Sequence, residues 1–197
     1  MEKPGNSLSE DYFNDVYRAN EDPWEFETSE YEINKYKTTV NALPRKSYKN
    51  AFEIGCSIGV LSEMLAEKCE KLLAVDVAEA PLIKARERLK KLQQVKFEKL
   101  AVPDQFPADQ FDLIVVSEVA YYLAWPDFHL LQEKILAHLA DGGHLLLVHW
   151  TPDVHDYPLT GDEVHDEYIK LTGDGQPLRH LHGLREQTYR LDLFEKN

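Results

Sequence analysis

The sequence predicts an α/β fold, a doubly wound and mostly parallel sheet preceded by a helical segment. Three observations predict it. Short apolar runs alternate with stretches in which apolar residues recur at helical spacing. The first such run in that alternation, residues 50–54, breaks into the small-residue turn Gly55-Cys56-Ser57-Ile58-Gly59 before a helical pattern. Residues 111–116 are almost continuously apolar, the composition of a central parallel strand covered on both faces.

Taken in order, residues 1–8 carry Pro4 and Gly5 and read as a mobile tail. From Ser9, the residues Tyr12, Phe13, Val16 and Tyr17 form one edge of a helix that ends over residues 20–23, leaving Trp24 and Phe26 in a loop. Ser29 with Glu32 three residues on is a capping-box pattern. The helix it opens carries Ile33, Tyr36, Val40 and Leu43 on one face and stops at Pro44. Residues 1–48 thus read as a helical cap region and residues 49–197 as a sheet core, within the single domain that 197 residues favour. Strands are expected at 50–54, 72–75, 95–100, 111–116 and 145–148, with a crossover helix at 58–67. Pro81 suits a first helical position ahead of Leu82, Ala85, Leu89 and Leu92. Phe128, Leu131, Ile135 and Leu139 form the next stripe, closed by Gly142-Gly143. Residues 160–171 read as helix through Val164, Tyr168 and Leu171, and residues 180–194 hold two last strands.

The chain has 35 acidic against 22 basic residues, a formal charge of −13. That field repels phosphate backbones, so no nucleic-acid partner is expected. Cys56 and Cys69 are too few for a disulfide framework, which suits a reducing compartment. No secretory pattern opens the chain and no apolar stretch approaches membrane-span length. The expectation is a soluble, cytoplasmic protein with no membrane partner; the sequence carries no signal for oligomeric state.

Glu53-Ile-Gly55-Cys-Ser57-Ile-Gly59, Asp76 behind the second strand and Phe111-Asp112 opening the fourth resemble class I S-adenosylmethionine (SAM)-dependent methyltransferases. Asp22-Pro23-Trp24, Tyr31-Glu32 with Lys35-Tyr36, Ser117-Glu118 with Tyr121-Tyr122, and Asp156-Tyr157-Pro158-Leu159-Thr160-Gly161-Asp162 are similar to its nodulation-protein-S (NodS)-like branch. The likeness runs from about Tyr12 to the C-terminus. It implies a Rossmann-like seven-stranded sheet with a C-terminal antiparallel hairpin, SAM as cofactor and S-adenosylhomocysteine as product. It also implies a small-molecule methyl acceptor, an amine nitrogen first, since named members methylate an amine on a chito-oligosaccharide. A SAM-binding protein without catalysis, acting as a partner or sensor, is the alternative. A dinucleotide enzyme is disfavoured, because it would want G-x-G-x-x-G where this chain has Gly55-x-x-x-Gly59.

The resemblance assigns Glu53 and the backbone of Gly55, Cys56, Ser57 and Gly59 to the amino-acid end of SAM, whose ammonium suits a carboxylate. It assigns Asp76, with Val77 beside it, to the ribose hydroxyls; about 20 residues past the glycine turn is the expected place for that acid. The bland reading of Asp76 is a helix N-cap. Ala101 and Val102 stand where many relatives have an adenine-binding Asp, so the ring would pack by apolar contact, and Asp104 reads as a solvated loop residue. Ser117, Glu118 and Tyr121 lie in the loop after strand four, facing the transferred methyl, where carboxylates and aromatic faces stabilise positive charge. The same aromatics are also ordinary packing residues. His149, ending strand five on that edge, is a candidate base for the acceptor amine or else a satisfied core histidine. Tyr12, Tyr17, Trp24 and Tyr31 are candidate lid residues, Trp24 first, and Tyr31 or Lys35 candidates for the SAM carboxylate, against a bland reading as helix packing. The spacings of His155, His165, His180 and His182 match no ligand motif, so no metal is expected.

Overall fold

The computed structural model describes residues 3–197. Seven strands form one sheet in the order β3-β2-β1-β4-β5-β7-β6. β1 (Ala51–Ile54), β2 (Leu72–Asp76), β3 (Val95–Lys99), β4 (Phe111–Ser117) and β5 (Leu139–Trp150) pair in parallel. β6 (Leu178–Arg185) and β7 (Tyr189–Lys196) form an antiparallel hairpin whose second strand lies against β5. The chain runs outward from β1 to β3, then returns to the other side of β1 for β4. That reversal opens a crevice at the carboxyl ends of β1 and β4, the place where open α/β sheets bind ligands.

Three of the helices form where a side chain caps them. Ser9 opens α1 (Glu10–Ala19) by accepting the Tyr12 N–H, and Ser29 opens α2 (Glu30–Asn41) by accepting the Glu32 N–H. The Ser29–Glu32 box is only half made. The Ser29 N–H already donates to Glu25 O at 2.9 Å, and the Glu32 carboxylate turns instead to Lys35. A reciprocal box does open α6 (Gly161–Ile169), between Thr160 and Glu163. The other helices are α3 (Val60–Ala66), α4 (Glu79–Arg88) and α5 (Trp125–His138), with a 3-10 turn at Ala120–Tyr122.

Three expectations are corrected. Pro81 is the third residue of α4, not the first; N–H groups throughout the first turn lack intrahelical partners, so proline is tolerated there. Gly142-Gly143 belong to β5 and do not close α5; the helix is capped by Leu139, which is also the first residue of β5. Leu139 pairs with Phe111, the ladder then slips, and pairing resumes at His144 with Leu113. Gly142, at φ +71°, and Gly143, where a Cβ would lie 2.7 Å from Ala140 O, make the bend that allows it. Residues 3–8 are not a free tail: the Leu8 N–H donates to Tyr122 O at 2.9 Å and the Ala124 N–H to Ser7 Oγ at 2.8 Å. The open carbonyl and amide flanking the 3-10 turn capture them. The start of the expected tail, Met1 and Glu2, lies outside the described residues.

The core lies on both sheet faces. Ala51 packs in one cluster with Val40, Leu61 and Leu65, while Phe52 and Ile54 join Phe128, Leu131 and Ile135 in the other. Strand alternation therefore puts Glu53 on the Ala51 face, toward α2 and α3. Among the described residues no helix is long and apolar enough to cross a membrane.

Candidate active site

A cavity of about 340 Å³ opens at the carboxyl ends of β1, β2 and β4, within the range of small-molecule sites. Its floor is the glycine turn. Gly55 has φ +82°, and a Cβ there would lie 1.9 Å from Val119 Cγ2, so the turn and the loop after β4 can touch only at a glycine. Ser57 also sits in the left-handed region, at φ +47°. Its N–H donates to Asp76 Oδ2 at 3.0 Å and its hydroxyl lies 2.7 Å from the Tyr17 hydroxyl. Asp76 Oδ1 accepts the Ala78 N–H at 2.9 Å, the short-range turn a helix N-terminus uses. The β1 turn and the end of β2 are thus tied through one carboxylate.

Glu53 is 1% exposed and accepts from Ser62 Oγ at 2.5 Å. Burial pushes its carboxyl up to about 7, against the opposing Ser62 hydrogen bond. Burial likewise pushes Asp76 up to about 6, although backbone N–H groups favour its charged form.

The opposite wall carries an ion-pair network. Lys35, 3% exposed, donates to Glu118 Oε1 at 2.6 Å and to Glu32 Oε1 at 3.1 Å. Burial alone would depress the Lys35 ammonium, but the two carboxylates outweigh it and hold it above the ordinary lysine range. Burial raises the Glu32 carboxyl, with Lys35 opposing. Glu118 Oε2 accepts the Tyr121 hydroxyl at 2.7 Å and the Trp150 N–H at 2.8 Å. Those bonds hold Glu118 at φ +57°, a conformation that costs on the order of 1–3 kcal/mol and persists only where surroundings impose it. Among the described residues Lys35 is the one basic side chain on the cavity wall.

Of the residues singled out from sequence, Glu53, Gly55, Cys56, Ser57, Asp76 and Val77 meet on the floor of this cavity. Val102, Ser117, Glu118, Tyr121 and Trp24 line its sides, Trp24 edge-on to Tyr17 and stacked on Phe26. Four residues do not reach it. Gly59 caps α3 and lets it approach α4, since a Cβ there would lie 3.0 Å from Ala85 Cβ. Ala101 turns its N–H to Gln105 Oε1. Tyr31 faces the β5–β7 edge, 2.7 Å from the Thr188 hydroxyl. His149 is fully buried behind the loop, its Nε2 accepting the Ala120 N–H at 3.3 Å. Burial, with the neighbouring His165, holds the His149 imidazole well below the ordinary histidine range. Sequence reasoning passed over Leu8, Glu32, Val154 and Tyr157 as cavity residues. Two of them had a signal, Tyr157 through its place in the Asp156–Asp162 stretch and Glu32 through the Tyr31-Glu32 pair. Among the described residues no group of three or more His, Cys, Asp or Glu is placed to hold a metal ion.

The family model described as Nodulation protein S (NodS) matches residues 11–147. Nodulation protein S of Rhizobium tropici is 32% identical over 130 residues, 65% of this chain and 55% of the relative. That of Bradyrhizobium diazoefficiens is 37% identical over 106 residues, 53% of this chain and 51% of the relative. The chain thus spans little more than half the length of these curated relatives. Among solved structures, a candidate methyltransferase from Pseudomonas syringae is 37% identical, with a TM-score of 0.72 over 84% of this chain and 99% of that one. The N-methyltransferase NodS from Bradyrhizobium japonicum WM9, in complex with S-adenosyl-l-homocysteine, shares the fold at TM-score 0.79 and 23% identity, over 93% of this chain and 97% of that one.

Proposed function

This chain belongs to the nodulation protein S family, and on that premise we propose that it is a SAM-dependent methyltransferase acting on a small-molecule acceptor, an amine nitrogen first. The observation that carries the reading is the junction of the Gly55–Gly59 turn with Glu53 and Asp76 at one end of a ligand-sized cavity. The residues fit such a cofactor. Gly55 lacks the side chain that would close the cradle, Glu53 offers a carboxylate for an ammonium, and Asp76 offers one for vicinal hydroxyls. Leu100 and Val102 supply an apolar wall suited to a base ring. Bound, the cofactor supplies an electrophilic methyl on a sulfonium.

What this chain adds is positioning and charge. Glu118 and Glu32 set two carboxylates against one Lys35 ammonium, a balance that favours positive charge arriving on the acceptor. The ring of Tyr121, fixed by its hydrogen bond to Glu118, presents an aromatic wall, and Trp24 and Tyr17 cover the floor from the N-terminal side. An amino sugar or short oligosaccharide is the acceptor class suggested by the NodS-like branch, and two buried free thiols suit a cytoplasmic setting. Isothermal titration tests the first half of this reading. SAM and S-adenosylhomocysteine should bind in the micromolar range and Asp76→Ala should weaken both at least about tenfold, the loss of a charge-assisted hydrogen bond; absence of binding sinks it.

A further inference from the structure

The mechanism above makes no use of a buried polar chain behind the site. His149 Nδ1 lies 3.0 Å from His165 Nε2, and His165 Nδ1 lies 2.7 Å from Asp192 Oδ2. Asp192 also accepts from Arg190 Nε at 2.7 Å and pairs through Oδ1 with His180 Nε2 at 2.7 Å. His149 and His165 are 0% exposed and Asp192 is 2%. The chain crosses from β7 through α6 to β5, joining residues 43 positions apart. It ends on the Ala120 N–H, in the loop that carries Glu118 and Tyr121.

Donor geometry leaves one proton arrangement. A backbone N–H can only donate, so His149 Nε2 is the acceptor and Nδ1 carries the proton. That proton points to His165 Nε2, so His165 too is protonated on Nδ1, toward Asp192. Both rings are then neutral, and their four nitrogens and the two Asp192 oxygens all have partners. The loop it reaches needs such support. Glu118 lies in the left-handed region, and Ala120 would otherwise bury an unpaired donor. The Tyr121 ring stands edge-on to His149 at 5.4 Å. The N-terminus of α6 closes on the same point, since a Cβ on Gly161 would lie 2.2 Å from Trp150 O and 3.1 Å from His149 Cβ.

We propose that His149, His165 and Asp192 are positioning residues that lock the Glu118–Tyr121 loop against the cavity, and that His149 is not the proton acceptor. The proposal rests on the methyltransferase reading for its consequence but not for its geometry. Titratable groups facing His149 are His165 on α6, the Tyr121 ring on the 3-10 turn and, farther off, Lys35 on α2; burial first, then His165 and Lys35, oppose its protonation. Replacing Asp192 by leucine removes the anchor of the chain, whereas asparagine can still accept from His165 through its carbonyl oxygen and donate to His180. Loosening a loop that aligns reacting groups lowers turnover by about tenfold or more without a matching loss of cofactor affinity.

Two measurements on the full chain test this. The first is imidazole 15N spectroscopy with S-adenosylhomocysteine present. Both His149 and His165 should be Nδ1–H tautomers, and His149 should stay neutral between about pH 6 and 9, on either side of the free-histidine value. A proton on His149 Nε2, or His149 charging within that window, overturns the proposal. The second is methyl transfer from SAM to a partially deacetylated chito-oligosaccharide. Asp192→Leu should lower kcat about tenfold with KM for SAM within about twofold, and Asp192→Asn should restore most of the rate. Equal rates for wild type and Asp192→Leu overturn it, as does an equal loss in both variants. Wild type that binds S-adenosylhomocysteine but transfers no methyl to this probe defeats the functional reading with that acceptor, and the tautomers then decide the proton arrangement alone.

Discussion

At the scale of single residues, the site is a set of buried charges whose costs are offset locally. Lys35 is held between Glu118 and Glu32, and removing it would leave two carboxylates facing each other away from water. Lys35→Met should therefore destabilise the protein by about 3–5 kcal/mol in urea unfolding, far more than an exposed ion pair would. Glu53 makes a prediction in pH. Its carboxyl rises from 4.5 to about 7 on folding, so the folded state favours the protonated form. The stabilisation is whole below pH 4.5 and is lost as pH rises through 7. Relative to Glu53→Gln, the wild-type protein should lose about 3 kcal/mol between those limits. A stability difference that stays flat with pH contradicts the assigned burial. Glu53 and Asp76 were legible in the sequence because an acid at the end of an apolar strand has few structural reasons to be there. The setting of His149 was not, because its partners His165 and Asp192 are set by where α6 and β7 dock, and no local spacing encodes that.

At the scale of elements, the glycine turn and the loop after β4 are one device. Gly55 and Val119 interlock, and the two left-handed residues Ser57 and Glu118 are each held by side-chain partners from elsewhere. Gly55→Ala should cost about 2 kcal/mol or more, from the clash and the positive φ together. Val119→Ala in that background should recover part of the loss, because it removes the clash and leaves the backbone cost; chemical denaturation of the pair reads both. The turn was legible because glycines after an apolar run have a local meaning. Gly142-Gly143 misled for the same reason. Beside a helical stripe they read as a cap, yet the ladder of β5 with β4 extends back to Leu139 and turns them into a bend. The Ser29–Glu32 box failed on a competitor that the pattern does not contain, the Glu25 carbonyl.

At the scale of the molecule, the strand order decides where chemistry happens. β1 and β4 lie side by side while their connections leave in opposite directions, so the loops after them diverge and leave a crevice. The antiparallel hairpin adds Asp192 behind that crevice, and the N-terminal helices add Tyr17, Trp24 and Lys35 in front of it. The alternation of strand and helix was legible along the chain. The order of the strands was not; the family likeness supplied only the seven-stranded sheet with its C-terminal hairpin. The proposed methyl transfer to nitrogen is measured directly with SAM carrying a 13C-labelled methyl and a panel of amino sugars and small amines. The label should appear on an acceptor nitrogen, and Asp76→Ala should slow its arrival at least about tenfold at limiting SAM. A chain that binds S-adenosylhomocysteine yet leaves the label on SAM, or delivers it only to oxygen or to the protein itself, contradicts the account.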